Sequence, residues 1–418
     1  MLRTWTARPA DSSRPRRKPA SIGSSAVVSL VQSLNRLALG GRFRCARRLA
    51  QAHTDYSPAI WHHVALVENN SFSVSSSRNA HIRIASTGRE FSARPDETIL
   101  TAALRQGIVL PYSCRNGTCA SCKCRLIEGE IRYPYNPPTA LDQNELHDGQ
   151  MLSCQAVAEG DIVIESREIE QVEDIPVRLL PARVETMGRF TEDTMRLRLK
   201  LPAAARLQFL AGQYIDILLP DGKRRAFSIA SPPSEKDFIE LHVKHVDGGG
   251  FTGHVFDDMQ PKEILRFEGP LGTFFFRRNS DRPAVLAGGG TGFAPLKAMI
   301  EELIHAGDER PLELFWGTRT AADLYAAELI RSWQAEHPAL NFVPVVSEPD
   351  EDWSGETGFV HEAVLRHHPD LSGWDVYMSG PPAMIHAARP AFIEAGVPEH
   401  RLFYDSFDFA PDVPPAAG

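Results

Sequence analysis

The sequence predicts a multidomain chain that joins α+β and α/β parts in one polypeptide. Three observations support this prediction: a group of closely spaced cysteines near residue 120, six short strand-like runs after it, and strands that alternate with helices from residue 282 onward. At 418 residues the chain exceeds the usual size of one domain, so two to three compact units are expected. An apolar fraction of 43% is ordinary for globular proteins and sufficient for sizeable cores.

Residues 1–79 differ in composition from the rest of the chain. They contain twelve Lys and Arg residues against three acids and carry a formal charge of +9, whereas residues 80–418 carry −17. The acidic body argues against nucleic-acid binding, which needs a basic surface, and it suits a basic redox partner. We interpret residues 1–79 as a disordered extension or as sequence upstream of the true start. A targeting presequence competes with this interpretation, because Ala26–Leu39 has the pattern of a short amphipathic helix.

The cysteine content and the hydropathy bear on the cellular setting. Four of the six cysteines are assigned below to one site, which leaves no disulfide framework and favours a reducing compartment. No stretch approaches the roughly 18–20 apolar residues that a membrane span needs. The sequence therefore predicts a cytoplasmic protein without a membrane span.

Three cysteines at the spacing Cys-x4-Cys-x2-Cys, with a fourth farther along, match the plant-type pattern in which four thiolates hold a [2Fe-2S] cluster. Gly117 lies inside the first gap, where it lets the backbone approach the sulfides. A structural zinc site is the alternative, but zinc ribbons usually show two closely spaced pairs. Cys45 and Cys124 fall outside the pattern and are expected to be bystander thiols. The predicted metal ligands are Cys114, Cys119, Cys122 and Cys154.

Residues 80–168 are predicted to form a small α+β domain around the cysteine loop. Isoleucines alternate with polar residues before the turn at Thr87-Gly88, which predicts a hairpin. Asp96 is the expected N-cap of the following helix, and Gly107 is its expected C-terminal stop. The arrangement resembles the plant-type ferredoxin fold, a β-grasp domain. Further strands are predicted at 128–133 and 161–165.

The second predicted unit spans residues 176–278. The acidic segment 168–176 lacks a core pattern, ends at a proline and is interpreted as the linker to this unit. Six short strand-like runs separated by turn signals indicate a small antiparallel barrel. These runs lie near 177–184, 194–201, 213–219, 225–230, 238–245 and 263–268.

The third predicted unit spans residues 282–410, where the pattern becomes strand then helix. Ala284–Ala287 is a predicted strand that leads through Gly288–Gly292 into a helix. The alternation predicts a parallel α/β sheet of nucleotide-binding type. Further strands are predicted at 312–316, 342–346, 375–378 and 402–404.

The second unit contains Arg225-Ala-Phe-Ser228, a cation, an aromatic ring and a hydroxyl on one strand. Such a set can hold a phosphate, cover a flavin ring and hydrogen-bond its redox-active edge. It resembles the Arg-x-Tyr-Ser flavin signature of the ferredoxin–NADP reductase superfamily, with Phe227 in place of the tyrosine. Gly249–Thr252 resembles the second flavin segment, whose backbone amides grip the pyrophosphate. The resemblance implies a flavin-binding barrel with FAD rather than FMN, and the expected flavin ligands are Arg225, Phe227, Ser228, Lys244, Gly250, Phe251 and Thr252.

The third unit contains a glycine-rich turn, Gly289–Pro295, that opens a helix and lets a pyrophosphate approach the positive helix end. Tyr377–Pro382 resembles the superfamily's Cys-Gly-Pro element, which seats the nicotinamide, and Ser379 replaces the cysteine. Phe407 belongs to a segment that resembles the C-terminal aromatic segment; it is expected to shield the flavin face or to be part of the core. The expected nucleotide ligands are Gly289, Gly290, Thr291, Gly292, Gly380 and Pro381. The residues expected at the reacting atoms are Ser228, Ser379 and Phe407.

The order of the three units resembles the reductase components of multicomponent oxygenases and, more closely, the CDP-6-deoxy-delta-3,4-glucoseen reductases. Arg266–Phe275 and Trp353–Val360 extend this resemblance over about residues 80–408. NAD(P)H gives electrons in pairs and a [2Fe-2S] cluster takes them singly, so a flavin between them implies a reductase that splits electron pairs. The expected partner is a pyridoxamine-phosphate dehydratase acting on a CDP-sugar, or an oxygenase. A non-catalytic redox sensor or carrier is a third interpretation, suggested by Ser379.

The choice of nucleotide depends on residues near the adenine ribose. Arg319 in Trp316–Arg319 is a candidate for binding the 2′-phosphate of NADPH. Similar reductases that use NADH carry an arginine there too, so NADH is expected and NADPH stays open.

Overall fold

The computed structural model describes residues 78–134, 138–167, 169 and 175–408. They belong to one compact unit, in which we distinguish an N-terminal module (80–167), a middle module (178–278) and a C-terminal module (282–408). The predictions for residues 1–77, with Cys45, and for most of the linker at 168–176 lie outside the described residues. Within the described ranges, no helix is long and apolar enough to cross a membrane.

The N-terminal module is a five-stranded mixed sheet with the strand order β2-β1-β7-β3-β5 and a separate two-stranded ribbon, β4-β6. Its elements are β1 (Ala80–Ile84), β2 (Glu90–Ala93), α1 (Ile99–Arg105), β3 (Lys123–Glu128), β4 (Ile131–Arg132), α2 (Gln143–His147), β5 (Gln150–Leu152), β6 (Val157–Ala158) and β7 (Ile162–Glu165). The predicted hairpin is confirmed, because β1 pairs antiparallel with β2. Alternate residues of β1 are buried and exposed, so one face of the strand builds the core.

The start of α1 differs from the prediction. Thr98, not Asp96, is the N-cap, and its hydroxyl accepts the N–H of Thr101 at 3.3 Å. Asp96 has a positive φ of 66° and forms an ion pair with Arg132, so its carboxylate is used outside the helix. The C-terminal stop is as predicted, since Gly107 follows the helix with a φ of +74°.

The middle module is a six-stranded antiparallel sheet with the order β11-β10-β13-β8-β9-β12. Its elements are β8 (Arg178–Arg189), β9 (Thr194–Lys200), β10 (Tyr214–Leu218), β11 (Arg224–Ser228), β12 (Ile239–Lys244), α3 (Gly250–Asp257) and β13 (Ile264–Leu271). Each of the six predicted runs overlaps one strand, whereas α3 was not predicted.

The predicted barrel is not closed. β11 and β12 are the two edges of the described sheet, and between the segments that carry them only an isolated bridge from Ile229 to Leu241 is formed. Pro232 and Pro233 follow β11 and lack backbone N–H donors, so the strand cannot extend its pairing along β12.

The C-terminal module is a six-stranded parallel sheet with the order β17-β16-β15-β14-β18-β19. Its elements are β14 (Ala284–Gly289), α4 (Phe293–His305), β15 (Leu312–Thr318), α5 (Ala327–Glu336), β16 (Leu340–Val346), β17 (Glu356–Thr357), α6 (Val360–His367), β18 (Asp375–Gly380), α7 (Pro382–Glu394) and β19 (Leu402–Ser406). Residues of α4 and α5 share a core cluster with one face of the sheet, and residues of α6 and α7 share another with the opposite face. The strand order reverses between β14 and β18, which is where open α/β sheets bind ligands.

The three modules contact one another through polar side chains. Arg167 of the N-terminal module donates to the carbonyl oxygen of His400 at 3.1 Å. Between the middle and C-terminal modules, the buried Lys297 donates to the carbonyl oxygen of Ala230 at 3.1 Å and lies 3.5 Å from a carboxylate oxygen of Glu240. The C-terminal module is thus bonded to both of the other modules.

Candidate functional site

The cysteine loop curls because several of its residues take left-handed backbone conformations. Arg115, Gly117 and Ala120 have φ angles of 59°, 85° and 58°. A Cβ on Gly117 would lie 2.8 Å from Cγ of Gln155, so a side chain there would collide with the residue after the fourth cysteine. The curl turns hydrogen-bond donors toward sulfur: the N–H of Ser121 lies 3.4 Å from Sγ of Cys119, and the hydroxyl of Thr118 lies 3.6 Å from Sγ of Cys114.

The four predicted ligands form two pairs. Sγ of Cys122 and Sγ of Cys154 are 3.2 Å apart, and Cys119 hydrogen-bonds Cys114. The hydrogen bond from Cys119 lowers the pKa of the Cys114 thiol to about 6, and the same bond raises the pKa of the Cys119 thiol, so Cys114 is the thiolate of this pair. Two pairs of thiols fit the two irons of a [2Fe-2S] cluster.

Cys124 behaves as predicted for a bystander thiol. It lies on β3 in the core of the N-terminal module and is 5% exposed. Burial raises the pKa of its thiol to about 12, so the side chain stays neutral.

The flavin motif lies on β11, an edge of the middle sheet. Arg225 and Phe227 share one face of the strand, and both are half-buried. The Arg225 guanidinium donates to the carbonyl oxygen of Arg224 at 2.9 Å. Ser228 closes the strand and is buried, and its hydroxyl lies 3.4 Å from a carboxylate oxygen of Asp405. An aromatic ring on an accessible sheet edge fits the covering of a flat cofactor.

Replacing Phe227 with alanine is expected to weaken FAD binding at least about fivefold, because a stacked ring contributes about 1 kcal/mol beyond its buried area. Phe227 packs against Phe251, with ring centroids 5.4 Å apart, so its orientation is fixed before FAD binds. The measurement is FAD affinity from quenching of flavin fluorescence. Phe227→Tyr should retain wild-type affinity, and so should Phe238→Ala, which removes a half-buried ring of the same module. Equal losses in Phe227→Ala and Phe238→Ala would contradict the stacking role.

The second flavin segment is the N-terminus of α3. Gly249 is the N-cap, and a Cβ on Gly250 would meet no atom within 4 Å, so space for a phosphate lies in front of the helix end. The hydroxyl of Thr252 is engaged within its own loop, at 3.3 Å from the carbonyl oxygens of Val246 and Gly249. Lys244 pairs with a carboxylate oxygen of Asp193 at 2.6 Å, so its ammonium group already has a partner.

The glycine-rich turn of the C-terminal module packs directly against the end of β18. A Cβ on Gly292 would overlap the carbonyl oxygen of Ser379, and one on Gly289 would lie 2.6 Å from Sδ of Met384 and 3.0 Å from Cδ of Pro381. By contrast, Gly290 has a φ of +54° and open space around its Cβ position. Gly290 therefore leaves room for a dinucleotide phosphate beside the N-terminus of α4.

Ser379 is hydrogen-bonded to this turn, and Phe407 is hydrogen-bonded to the end of β18. The hydroxyl of Ser379, which is fully buried, donates to the carbonyl oxygen of Gly292 at 2.5 Å. The N–H of Phe407 donates to the carbonyl oxygen of Gly380 at 2.9 Å. The structure thus brings the glycine turn, the Ser-Gly-Pro element and the C-terminal aromatic segment together.

Asp405 is the residue that sequence reasoning missed. It lies opposite Ser379 in the β18–β19 ladder, it is 5% exposed, and its carboxylate contacts both Ser228 and Ser113. Burial raises the pKa of its carboxyl group to about 7. A single acid within a buried strand was the available signal, since such groups are rarely buried without a function or a partner.

Comparisons with known proteins agree with this geometry. Three family models match: a 2Fe-2S iron-sulfur cluster binding domain at residues 82–159, an oxidoreductase FAD-binding domain at 181–276 and an oxidoreductase NAD-binding domain at 286–390. The chain is 40% identical over 327 residues to the CDP-6-deoxy-L-threo-D-glycero-4-hexulose-3-dehydrase reductase of Yersinia pestis, covering 78% of this chain and 98% of that one. It is 36% identical over 340 residues to the phenol 2-monooxygenase reductase component DmpP of Pseudomonas sp. strain CF600, covering 79% and 95%. Among solved structures, the Amycolatopsis cytochrome P450 reductase GcoB matches with a TM-score of 0.65 and 33% identity, covering 78% and 98%.

The fold and the site define an electron-transfer reductase with separate iron–sulfur, flavin and nicotinamide modules. FAD, NAD(H) and a [2Fe-2S] cluster are its cofactors. The chain belongs to the ferredoxin–NADP reductase superfamily, among the iron–sulfur flavoprotein reductases that carry an N-terminal [2Fe-2S] domain. It is an NAD(P)H-dependent electron-transfer oxidoreductase, so the interpretation as a non-catalytic sensor or carrier gains no support.

Proposed function

We propose that this reductase takes hydride from NADH and delivers single electrons to a separate dehydrase that acts on a CDP-linked deoxysugar. The observation that supports this acceptor is the 40% identity to the Yersinia pestis dehydrase reductase, which extends through all three modules and 98% of that protein. FAD, when bound, accepts a hydride and releases electrons singly, which is the conversion that a one-electron cluster needs.

The residues of the site have separate roles in this proposal. The two cysteine pairs, Cys114 with Cys119 and Cys122 with Cys154, hold the cluster. FAD is held by two elements. The edge strand β11 contributes Arg225, Phe227 and Ser228, and the N-terminus of α3 contributes Gly250, Phe251 and Thr252. The glycine turn and the end of β18 hold the nucleotide, and Ser379 fixes one against the other through its bond to the Gly292 carbonyl. Phe407 covers the flavin face beside them.

The nucleotide we propose is NADH, because the loop beside Arg319 is acidic. The N–H of Glu348 donates to the carbonyl oxygen of Arg319 at 2.8 Å, so the loops after β15 and β16 are in contact. Residues 348–352 include four acids around one proline. Carboxylates near the adenine ribose suit a 2′-hydroxyl and repel a 2′-phosphate.

An oxygenase is the second candidate acceptor. The 36% identity to the phenol 2-monooxygenase reductase component and the TM-score of 0.65 with the cytochrome P450 reductase GcoB favour it. The reductase modules are shared by both classes, so the acceptor is decided by the surface that surrounds the cluster.

Anaerobic titration of the FAD-loaded and cluster-loaded protein with NADH, and separately with NADPH, tests the electron path and the nucleotide. We expect NADH to bleach both centres, with about three electrons taken up per chain, two by the flavin and one by the cluster. NADPH should reduce the flavin more slowly at equal concentration. Failure of both nucleotides to reduce a flavin that dithionite does reduce would overturn the proposal.

The acceptor is tested by adding candidate partners to the NADH-reduced protein. A dehydrase that carries pyridoxamine phosphate and is loaded with a CDP-4-keto-6-deoxyhexose should reoxidise the cluster and release a 3-deoxygenated sugar. An aromatic-ring oxygenase component should leave the cluster reduced. Turnover with the oxygenase alone would replace the first candidate with the second.

A further inference from the structure

One buried carboxylate of the C-terminal module touches the other two modules. Oδ1 of Asp405 accepts a hydrogen bond from the hydroxyl of Ser113, and Oδ2 lies 3.4 Å from the hydroxyl of Ser228. Ser113 directly precedes the ligand Cys114, and Ser228 ends the strand that carries the flavin motif. The three residues are separated in sequence by 292 and 177 positions, so only the assembled fold creates this bridge.

The segment just before Cys114 is also hydrogen-bonded to the middle module. The hydroxyl of Tyr214 on β10 donates to the carbonyl oxygen of Ser113 at 2.7 Å. The hydroxyl oxygen of Thr273 accepts the N–H of Tyr112 at 3.0 Å, and the N–H of Thr273 donates to the carbonyl oxygen of Tyr112 at 3.1 Å. All these side chains are buried. These bonds therefore fix the backbone before Cys114 to the middle module.

Placing an acidic side chain in this buried position costs folding free energy that a purely structural contact would not cost. Burying a charge disfavours folding unless hydrogen bonds compensate, and a neutral amide or an apolar pair fills such a joint with less penalty. The carboxyl group of Asp405 has two oxygens, one bonded to the Ser113 hydroxyl and the other 3.4 Å from the Ser228 hydroxyl, so a single side chain reaches both modules. The geometry therefore suits a function that depends on a fixed separation between the two hydroxyls.

We propose that Asp405 is a positioning residue for electron transfer inside the chain. By holding Ser113 and Ser228 on one carboxylate, it fixes the Cys114–Cys119 pair against the flavin strand. This inference rests on the proposed function, since it takes β11 as the flavin site and the cysteine loop as the cluster site. Asp405 acts on the step from flavin to cluster and leaves the step from NADH to flavin unchanged when only its contact with Ser113 is removed.

The test is Ser113→Ala in the full chain loaded with FAD and cluster. Stopped-flow mixing with NADH follows flavin bleaching and cluster bleaching separately, and freeze-quenched EPR samples confirm the cluster phase. We expect flavin reduction at the wild-type rate and cluster reduction slowed about tenfold or more, because a small misplacement of reacting groups has effects of that size. Ser113→Thr keeps the hydroxyl and should restore the rate. Asp405→Asn, which has nearly the same shape, should slow the cluster phase in the same direction.

The matched control is Ser153→Ala. Ser153 directly precedes the ligand Cys154, as Ser113 precedes Cys114, and it is also buried, but its hydroxyl donates to the carbonyl oxygen of Cys122 at 3.2 Å, inside the N-terminal module. This variant should show the wild-type cluster phase. The inference is overturned if Ser113→Ala leaves the cluster phase unchanged, if it slows both phases equally, or if Ser153→Ala matches it. A wild-type flavin that NADH does not reduce would instead count against the proposed function.

Discussion

Replacing Cys154 with alanine is expected to abolish the [2Fe-2S] cluster while the flavin module keeps FAD and accepts hydride from NADH. Cys154 is 5% exposed and follows the fully buried Met151 and Leu152, so the core of the N-terminal module holds it in place. Even a residue that only orients a metal ligand contributes about ten- to a hundredfold to metal affinity, and a direct ligand contributes more. We expect reduction of a protein acceptor such as cytochrome c to fall at least about a hundredfold. NADH-driven reduction of ferricyanide, which takes electrons from the flavin directly, should change little.

Cys124→Ala is the matched control for this experiment. It makes the same substitution in the same module at a side chain that is also 5% exposed, but at a thiol that burial keeps neutral. Iron and sulfide content per chain and the visible spectrum should match the wild type. If Cys154→Ala retained a full cluster, or if Cys124→Ala lost it, the assignment of the four ligands would be wrong.

The sequence predicts those parts of the site whose residues lie close together in the chain. The spacing of the four cysteines anticipates two thiol pairs, and the turn after β14 anticipates the helix that opens at Phe293. Local rules fail where two nearby residues compete. Asp96 and Thr98 are both good N-caps, and Asp96 instead pairs with Arg132, which is distant in sequence.

The parts that the sequence does not predict depend on contacts between modules or on weak local signals. The bridge through Asp405 joins residues that no periodicity relates, so only the tertiary structure reveals it. The helix α3 begins at Gly250 and contains Gly253. Because each glycine disfavours a helix by about 1 kcal/mol relative to alanine, the sequence does not predict this helix. The barrel stays open because β11 and β12 do not pair along their length. Strand propensity predicts the strands but not which of them pair.

Replacing Gly292 with alanine is expected to slow NADH-driven flavin reduction about a hundredfold while dithionite still reduces flavin and cluster. The added Cβ would overlap the carbonyl oxygen of Ser379 and lie 2.5 Å from its carbonyl carbon and 2.8 Å from Cα of Gly380. These are backbone atoms of β18, which is paired on both sides by β14 and β19, so they cannot yield as a flexible side chain does. The turn must move instead, which lengthens the 2.5 Å bond from Ser379 to the Gly292 carbonyl and misplaces the nucleotide.

Gly373→Ala separates this effect from a general loss of stability. Gly373 is an exposed glycine of the same module, its φ is not positive, and its Cβ would meet no atom within 4 Å. Thermal unfolding should show a loss of about 1–3 kcal/mol for Gly292→Ala, as for other overpacked sites, and almost none for Gly373→Ala. Because the φ of Gly292 is −57°, alanine adopts the same backbone there, and the whole effect comes from the clash. Wild-type hydride transfer in Gly292→Ala would show that the contact between the glycine turn and β18 does not position the nicotinamide.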